Sequence, residues 1–338
     1  MALLLLDRAQ LEVRSEGEAL ALYEAGVRRG TVPVRLIDRC VIQGAQTRLD
    51  SGVLAKLAEA GVTTVLMSPR SARRVAIMLG PQHNDAAVRL AQAQRVMDEL
   101  ACRQWACSLV RSKLARQRRT LQQLQFSRPD ARKPLFDAIQ TVDAIVQTLD
   151  GSAVLSAQDA APLPTLESLR GFEGAAARAY FAGLVGVFAP SLNFSGRNRR
   201  PPRDPVNVCL SLSYTMLHLQ AVQSCITAGL DPLLGFYHRP AFGRESLASD
   251  LIEPLRPDVD LWVWQLLRER SLREDHFSLD KGACLLGKAG RTIFYAAWEK
   301  QCKPWQRWLR SQTRALASGL RRQGEGWLAQ DDEDTEAC

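Results

Sequence analysis

One stretch governs what this chain can become. Residues 205–228 form a run suited to a helix that is apolar on nearly every side, opened by Asp204-Pro205 and closed by Gly229. Aspartate at the cap and proline in the first turn make a good helix start. A helix with no polar face has to be enclosed by other elements, so this run is the expected buried spine of a helical domain.

The rest of the chain divides around it. Residues 2–6, 11–14, 19–23, 32–37, 41–43 and 62–67 read as brief strands between charged or glycine-containing turns, with one short helix at 53–60 stopped by Gly61. After Gly80-Pro81 the texture changes. Asn84-Asp85 is placed to cap a long helical stretch to about Leu124, a second follows Pro134 over residues 135–149, and residues 152–164 read as a loop. The expectation is an α+β multidomain protein: a small β-rich N-terminal domain over residues 1–80, and a larger all-α C-terminal domain over 84–328. An acidic tail, 329–338, is expected to be disordered.

At 338 residues the chain is long enough to bury a sizeable core. Its net charge of +8, with arginine heavily outnumbering lysine, favours a polyanionic partner. The eight cysteines include no CxxC pair and no zinc-ligand spacing. The opening Met1-Ala2-Leu3-Leu4-Leu5-Leu6 is too short for a signal segment, and no apolar run approaches the roughly 20 residues that span a bilayer. A reducing cytoplasm, with no membrane association, is the expected setting.

Four side chains stand out as candidates for chemistry. Glu173 falls on the apolar stripe Leu166, Leu169, Ala176, Tyr180 and Leu184 of a helix, where a carboxylate is costly unless a cation or donors satisfy it. A structural alternative is a buried pair with an arginine. His238 sits in the Gly- and Pro-bounded turn that follows the spine, a usual place for chemistry, although a structural histidine fits there too. Asp250 and Glu253 are three apart and share a face if helical. The same spacing suits a capping box, and Pro254 disfavours helical geometry at Glu253. Together they offer carboxylates and one imidazole, a donor set suited to Mg2+ or Mn2+ and so to phosphoryl transfer.

Basic side chains gather nearby in sequence. Arg197, Arg199, Arg200 and Arg203 crowd the loop before the spine, Arg239 and Arg244 follow His238, and Arg103, Arg111, Lys113, Arg116, Arg118 and Arg119 stud the long helix. Arg197, Arg199, Arg200, Arg203 and Arg244 are the candidate phosphate contacts. Trp305 and Trp308 offer faces for base stacking, but their spacing also suits core packing.

The stretch Ala228-Gly229-Leu230-Asp231-Pro232-Leu233-Leu234-Gly235-Phe236-Tyr237-His238, followed by Gly243-Arg244-Glu245-Ser246-Leu247-Ala248-Ser249-Asp250-Leu251-Ile252-Glu253-Pro254-Leu255-Arg256-Pro257, resembles the CRISPR-associated spacer-acquisition integrase/endonuclease family. Leu169-Arg170-Gly171-Phe172-Glu173-Gly174, the basic loop 198–207, Ile42-Gln43-Gly44 and the run containing Asn84, Arg89 and Gln92 resemble it too. The resemblance implies homodimers formed through the β domain, two of them flanking a dimer of a small adaptation subunit in a heterohexamer. It implies Glu173, His238, Asp250 and Glu253 as catalytic residues. Glu173, His238 and Glu253 would be the Mg2+ or Mn2+ ligands, with Asp250 the nearby second acid; many relatives carry Asp where this chain has Glu253. The implied reaction is transesterification, in which the 3′-hydroxyl of a pre-spacer attacks double-stranded DNA at a repeat array. Two alternatives remain open at this point: a metal-dependent endonuclease acting on branched DNA, and a non-catalytic DNA-binding scaffold.

Overall fold

The computed structural model describes residues 2–8, 10–44, 46–68, 74–80, 85–151 and 163–335. They fall into two compact units: residues 1–84 with Glu299–Gln301, and Asp85–Trp298 with Cys302–Cys338.

The first unit contains β1 (Ala2–Leu6), β2 (Leu11–Glu16), β3 (Ala19–Glu24), β4 (Val27–Pro33), β5 (Ile37–Ile42), β6 (Arg48–Leu49), α1 (Ser51–Glu59), β7 (Thr63–Met67) and β8 (Arg74–Met78). They make two four-stranded sheets, ordered β1-β5-β7-β8 and β4-β3-β2-β6. In the first sheet β1, β5 and β7 are parallel and β8 closes the edge antiparallel. Alternating side chains send Leu11 and Val13 of β2 and Leu20 of β3 inward, where they meet Leu6, Cys40 and Val53 in one core. The Asp50 carboxylate accepts from the Val53 amide at 2.7 Å and so starts α1.

Several strands differ from the sequence reading. β4 is exposed over residues 27–31 and shows no apolar alternation, because it is held by pairing with β3 rather than by burial. Residues 34–36 form a 3₁₀ turn, which divides the expected strand 32–37 between β4 and β5. β8, which the alternation did not reveal, pairs with β7.

The second unit contains α2 (Ala86–Met97), α3 (Glu99–Ser127), α4 (Arg132–Gly151), α5 (Leu166–Val185), α6 (Pro205–Thr227), α7 (Ser246–Ile252), α8 (Arg256–Arg268), β9 (Phe277–Asp280), β10 (Ala283–Leu286), all but the last three residues of α9 (Lys288–Gln301), and α10 (Lys303–Thr335). The chain is therefore α+β, β-rich first and helical second. α6 is the enclosed spine: Val206, Val208, Cys209, Leu212 and Cys225 are all buried, although they point in every direction around the axis. Asp204 caps it through the Asn207 amide at 2.8 Å.

The expected single helix to Leu124 is broken at Asp98, which is extended and caps α3 through the Ala101 amide at 3.0 Å. A hairpin, β9–β10, interrupts the expected all-helical texture, turning at Lys281-Gly282 with both residues at positive φ. The acidic run expected to be a disordered tail instead prolongs α10 as far as Thr335. Residues 336–338, most of the expected loop 152–164, and Asn84 lie outside the described residues. Trp305 packs against Trp262 and Trp298 in an aromatic cluster, so its face is not available to a base. Trp308 lies under the Arg116 guanidinium.

Candidate active site

Glu173 projects from the buried stripe of α5, whose Leu169, Ala176, Tyr180 and Leu184 are all inside. Its Oε1 meets the Lys113 ammonium of α3, and its Oε2 accepts from the Tyr237 hydroxyl at 2.6 Å. The same Lys113 Nζ donates to Glu253 Oε2 at 2.6 Å. Glu253 Oε1 pairs with Arg256 Nη2 at 3.1 Å. Glu253 lies in the 3₁₀ turn that joins α7 to α8, which reconciles Pro254 with a helical φ and ψ at Glu253.

These charges stabilise one another in the interior. Burial works against the Glu253 anion, but Arg256 and Lys113 outweigh it and hold the carboxyl well below its ordinary value. Burial likewise works against the Lys113 cation, and the Glu253 and Glu173 carboxylates prevail, so its pKa rises.

His238 is held by Asp250. This aspartate is fully buried inside α7, so it is not a helix cap. Its Oδ2 accepts from the Phe236 and Tyr237 amides at 2.8 and 2.9 Å. Its Oδ1 accepts from the His238 amide at 2.9 Å and from the ring Nδ1 at 2.7 Å. Four donors on two oxygens fix the loop backbone and the imidazole together. A protonated Nδ1 leaves Nε2 as the free lone pair, in the manner of metal-ligating histidines backed by a carboxylate.

Two more residues shape the loop. A Cβ at Gly235 would stand 2.6 Å from the Ser246 carbonyl carbon and 2.7 Å from the His238 oxygen, so only glycine fits there. Buried Gln92 clamps the loop start, donating to the Asp231 and Leu234 carbonyls at 2.8 and 2.9 Å and accepting from the Asp231 amide at 2.8 Å.

Glu173, His238, Glu253 and Lys113 line one cavity of about 290 Å³. Arg197, Arg199 and Arg244 also line it, whereas Arg200 and Arg203 are exposed on the same basic loop away from its wall. Arg197 is anchored to Asn207 Oδ1 at 2.7 Å and Ser211 Oγ at 3.0 Å, and burial lowers its pKa. Asp260 closes the cavity floor, accepting from the Tyr180 hydroxyl at 3.0 Å and from the Tyr214 hydroxyl. Burial pushes its carboxyl up to about 6. The Tyr214 ring lies beneath the guanidinium groups of Arg256 and Arg197, at 4.8 and 5.5 Å.

The basic stretch of α3 has other work. Arg103 donates to the Pro164 carbonyl at 3.2 Å, Arg111 contacts Asp150 at 3.2 Å, Arg118 contacts Asp143 at 2.7 Å, and Arg116 pairs with Asp258. Only Lys113 among them enters the site. Sequence reading placed Lys113 on a basic helix face and not in the site, and gave no role to Tyr237, Tyr214, Arg256 or Asp260. A signal existed for Lys113: it continues the buried stripe Ala106, Val110, Leu114, Gln117 and Leu121.

Among the described residues, no three His, Cys, Asp or Glu side chains stand grouped as a ready metal site. The donor chemistry nonetheless fits a hard divalent cation: two carboxylates meet at one ammonium, and His238, whose Nδ1 is taken by Asp250, lines the same cavity.

Residues 4–300 match the family described as CRISPR associated protein Cas1. The chain is 34% identical over 302 residues to the CRISPR-associated endonuclease Cas1 1 of Thermodesulfovibrio yellowstonii, covering 89% of this chain and 91% of that one. It is 36% identical over 300 residues to the CRISPR-associated endonuclease Cas1 2 of Rhodospirillum rubrum, covering 86% and 83%. Among solved structures, a casposase bound to integration product superposes with a TM-score of 0.80 at 20% identity, covering 96% of this chain and 91% of that one. A Cas1 protein from Thermotoga maritima superposes with a TM-score of 0.79 at 18% identity, covering 95% and 97%. These two likenesses are of fold. The family match and the two curated relatives carry the identification: the chain belongs to the CRISPR-associated Cas1 family.

Proposed function

We propose that this chain is a metal-dependent DNA integrase of CRISPR adaptation, joining the 3′-hydroxyl ends of a pre-spacer to a repeat array. The observation that carries the reading is the meeting of Glu173, Glu253 and His238 in one cavity whose rim is arginine. An acidic, imidazole-bearing floor under a cationic rim suits a phosphodiester under attack.

In this reading Arg197, Arg199 and Arg244 hold phosphate oxygens, which is what guanidinium groups do well. Glu173, Glu253 and the Nε2 of His238 are the groups that would hold Mg2+ or Mn2+. The ion would supply activation of the attacking hydroxyl and neutralisation of charge at phosphorus. Asp250 keeps the Nε2 lone pair free by holding the proton on Nδ1. The attacking oxygen forms a new bond to phosphorus as the repeat strand's bridging 3′-oxygen leaves, so one phosphodiester replaces another.

Similarity of fold to the Cas1-containing part of a Cas6-RT-Cas1–Cas2 complex (TM-score 0.76, 21% identity, 95% of this chain and 35% of that one) supports assembly with a small Cas2-type subunit. We infer a homodimer, two copies of which flank a dimer of that subunit. Among the described residues no helix is long and apolar enough to cross a membrane, and a cytoplasmic setting fits a DNA substrate.

The test is strand transfer of a short duplex carrying 3′-hydroxyls into a supercoiled repeat plasmid, with the small subunit present, in Mn2+ and in EDTA. Joined products should need the metal and disappear in Glu173→Gln and His238→Ala while both variants still bind DNA. Cutting without joining would replace the integrase reading by a nuclease. DNA binding with no metal-dependent chemistry would leave a scaffold.

A further inference from the structure

His238 is followed by a tight hairpin, Arg239-Pro240-Ala241-Phe242-Gly243-Arg244. Ala241 and Arg244 pair across it, the Arg244 amide donates to the Ala241 carbonyl at 3.1 Å, and Gly243 takes φ +68°. Its feet are fixed. Arg239 Nη1 donates to the Val96 carbonyl at 3.0 Å, and Ser246 Oγ donates to the Arg239 carbonyl at 3.1 Å. On this rigid mount Phe242 is the most exposed large apolar side chain among the described residues, free of contact with its own chain. A turn of this kind ordinarily carries Asn, Asp or Ser, so a bare aromatic ring at the tip calls for an occupant.

The neighbourhood says which one. Arg239 and Arg244, both exposed, stand either side of Phe242 in the chain, and Arg244 also lines the cavity that holds Glu173, His238 and Glu253. A cavity of about 290 Å³ admits a phosphodiester and not a duplex, so a strand entering it must leave its stacked path. The base beside the entering phosphate then loses a stacking neighbour. An exposed aromatic ring two residues from an arginine of the cavity wall matches an unstacked base beside the held phosphate, and base–aromatic stacking does not depend on sequence.

We propose that Phe242 is a wedge that stacks on the nucleobase unstacked beside the phosphate held in the cavity. This rests on the reading of the cavity as a DNA site, so the test has to separate the two.

The full chain is titrated, by fluorescence anisotropy, into an intact duplex and into a branched duplex with one unpaired base at the junction. Wild type should prefer the branched DNA. Phe242→Ala should weaken binding to the branched DNA roughly fivefold or more, leave intact-duplex affinity and thermal stability unchanged, and Phe242→Trp should restore the preference. If wild type prefers the branched DNA and Phe242→Ala keeps that preference, the wedge is wrong and the DNA site stands. If wild type binds neither DNA, both readings fall. If Phe242→Ala alters only self-association by light scattering, the ring belongs to a protein interface and the wedge is again overturned.

Discussion

Replacing Asp250 by asparagine changes little in shape and removes the group on which the histidine loop is hung. Each carboxylate oxygen takes two N–H donors: the Phe236 and Tyr237 amides on one, the His238 amide and ring Nδ1 on the other. A carboxamide has one oxygen. Turned either way, its NH2 group faces two donors, and two of the four bonds are lost inside a fully buried site. A hydrogen bond to a charged group contributes about 1.5–3 kcal/mol, so the expected loss is about 3–6 kcal/mol. One escape exists. If His238 moves its proton to Nε2, Nδ1 becomes an acceptor for the new NH2 and only one bond is lost, at about 1.5–3 kcal/mol. That escape removes the free Nε2 lone pair, and catalysis is lost instead of stability. Urea denaturation followed by tryptophan fluorescence is the assay, because all seven tryptophans lie from Trp105 onwards and so report on the helical part of the chain. Asp250→Asn with stability within about 1 kcal/mol of wild type and unchanged strand transfer would refute the argument.

Three further outcomes are expected. Lys113→Met leaves the Glu173 and Glu253 carboxylates without their shared cation, lowering stability in EDTA by about 3–5 kcal/mol, and millimolar Mn2+ should recover more thermal stability in this variant than in wild type. The Asp260 carboxyl has its folded pKa raised from 3.8 to about 6, so the native state holds this proton more tightly; the stability it contributes, about 3 kcal/mol, is full below pH ~4 and is lost as pH rises through about 6. Asp260→Asn cannot ionise, and its stability relative to wild type should climb between pH 4 and pH 6 in parallel denaturation series. Gly235→Ala forces a methyl against the Ser246 and His238 backbone and should destabilise by about 1–3 kcal/mol and depress strand transfer, measured beside Gly171→Ala, where the added methyl meets open space.

What the sequence made legible follows from what burial writes into it. The spine α6 could be read because enclosure removes its polar face, and Glu173 because a carboxylate interrupts an apolar stripe. The strands β4 and β9 are largely exposed, held by backbone pairing, and β10 alternates between half-buried and buried side chains that are all apolar, so none of the three leaves a polar–apolar alternation to read. The role of Asp250 was half legible. Its spacing to Glu253 suggested a cap, whereas the loop amides it serves come from 12 to 14 residues away. Lys113 is separated from its partners by 60 and 140 residues, and its neighbours in sequence made it look like one more member of a basic helix face. Periodicity locates a side chain on the inner face; it does not name the group that meets it there.

The charges of the cavity sort into two layers. On the floor, Glu173 and Glu253 are opposed by Lys113 and Arg256, so the acids are already matched. On the wall, Arg197, Arg199 and Arg244 have no ion pair among the described residues, and the surplus there is cationic. Arg197 is the most telling of the three. Its guanidinium is held by neutral oxygens and by the face of Tyr214, and burial disfavours its charge. A half-buried cation without an ion-pair partner is costly in the free protein, and a phosphate entering the cavity would remove that cost as it binds. The floor imposes the opposite condition. A divalent cation held by the two carboxylates would compete with the Lys113 ammonium for the same oxygens, so holding the ion would require that ammonium to give up at least one of them. Phosphate entry and displacement of Lys113 then favour each other: a phosphate on the arginine wall adds negative charge beside the floor, and that charge stabilises a second cation there.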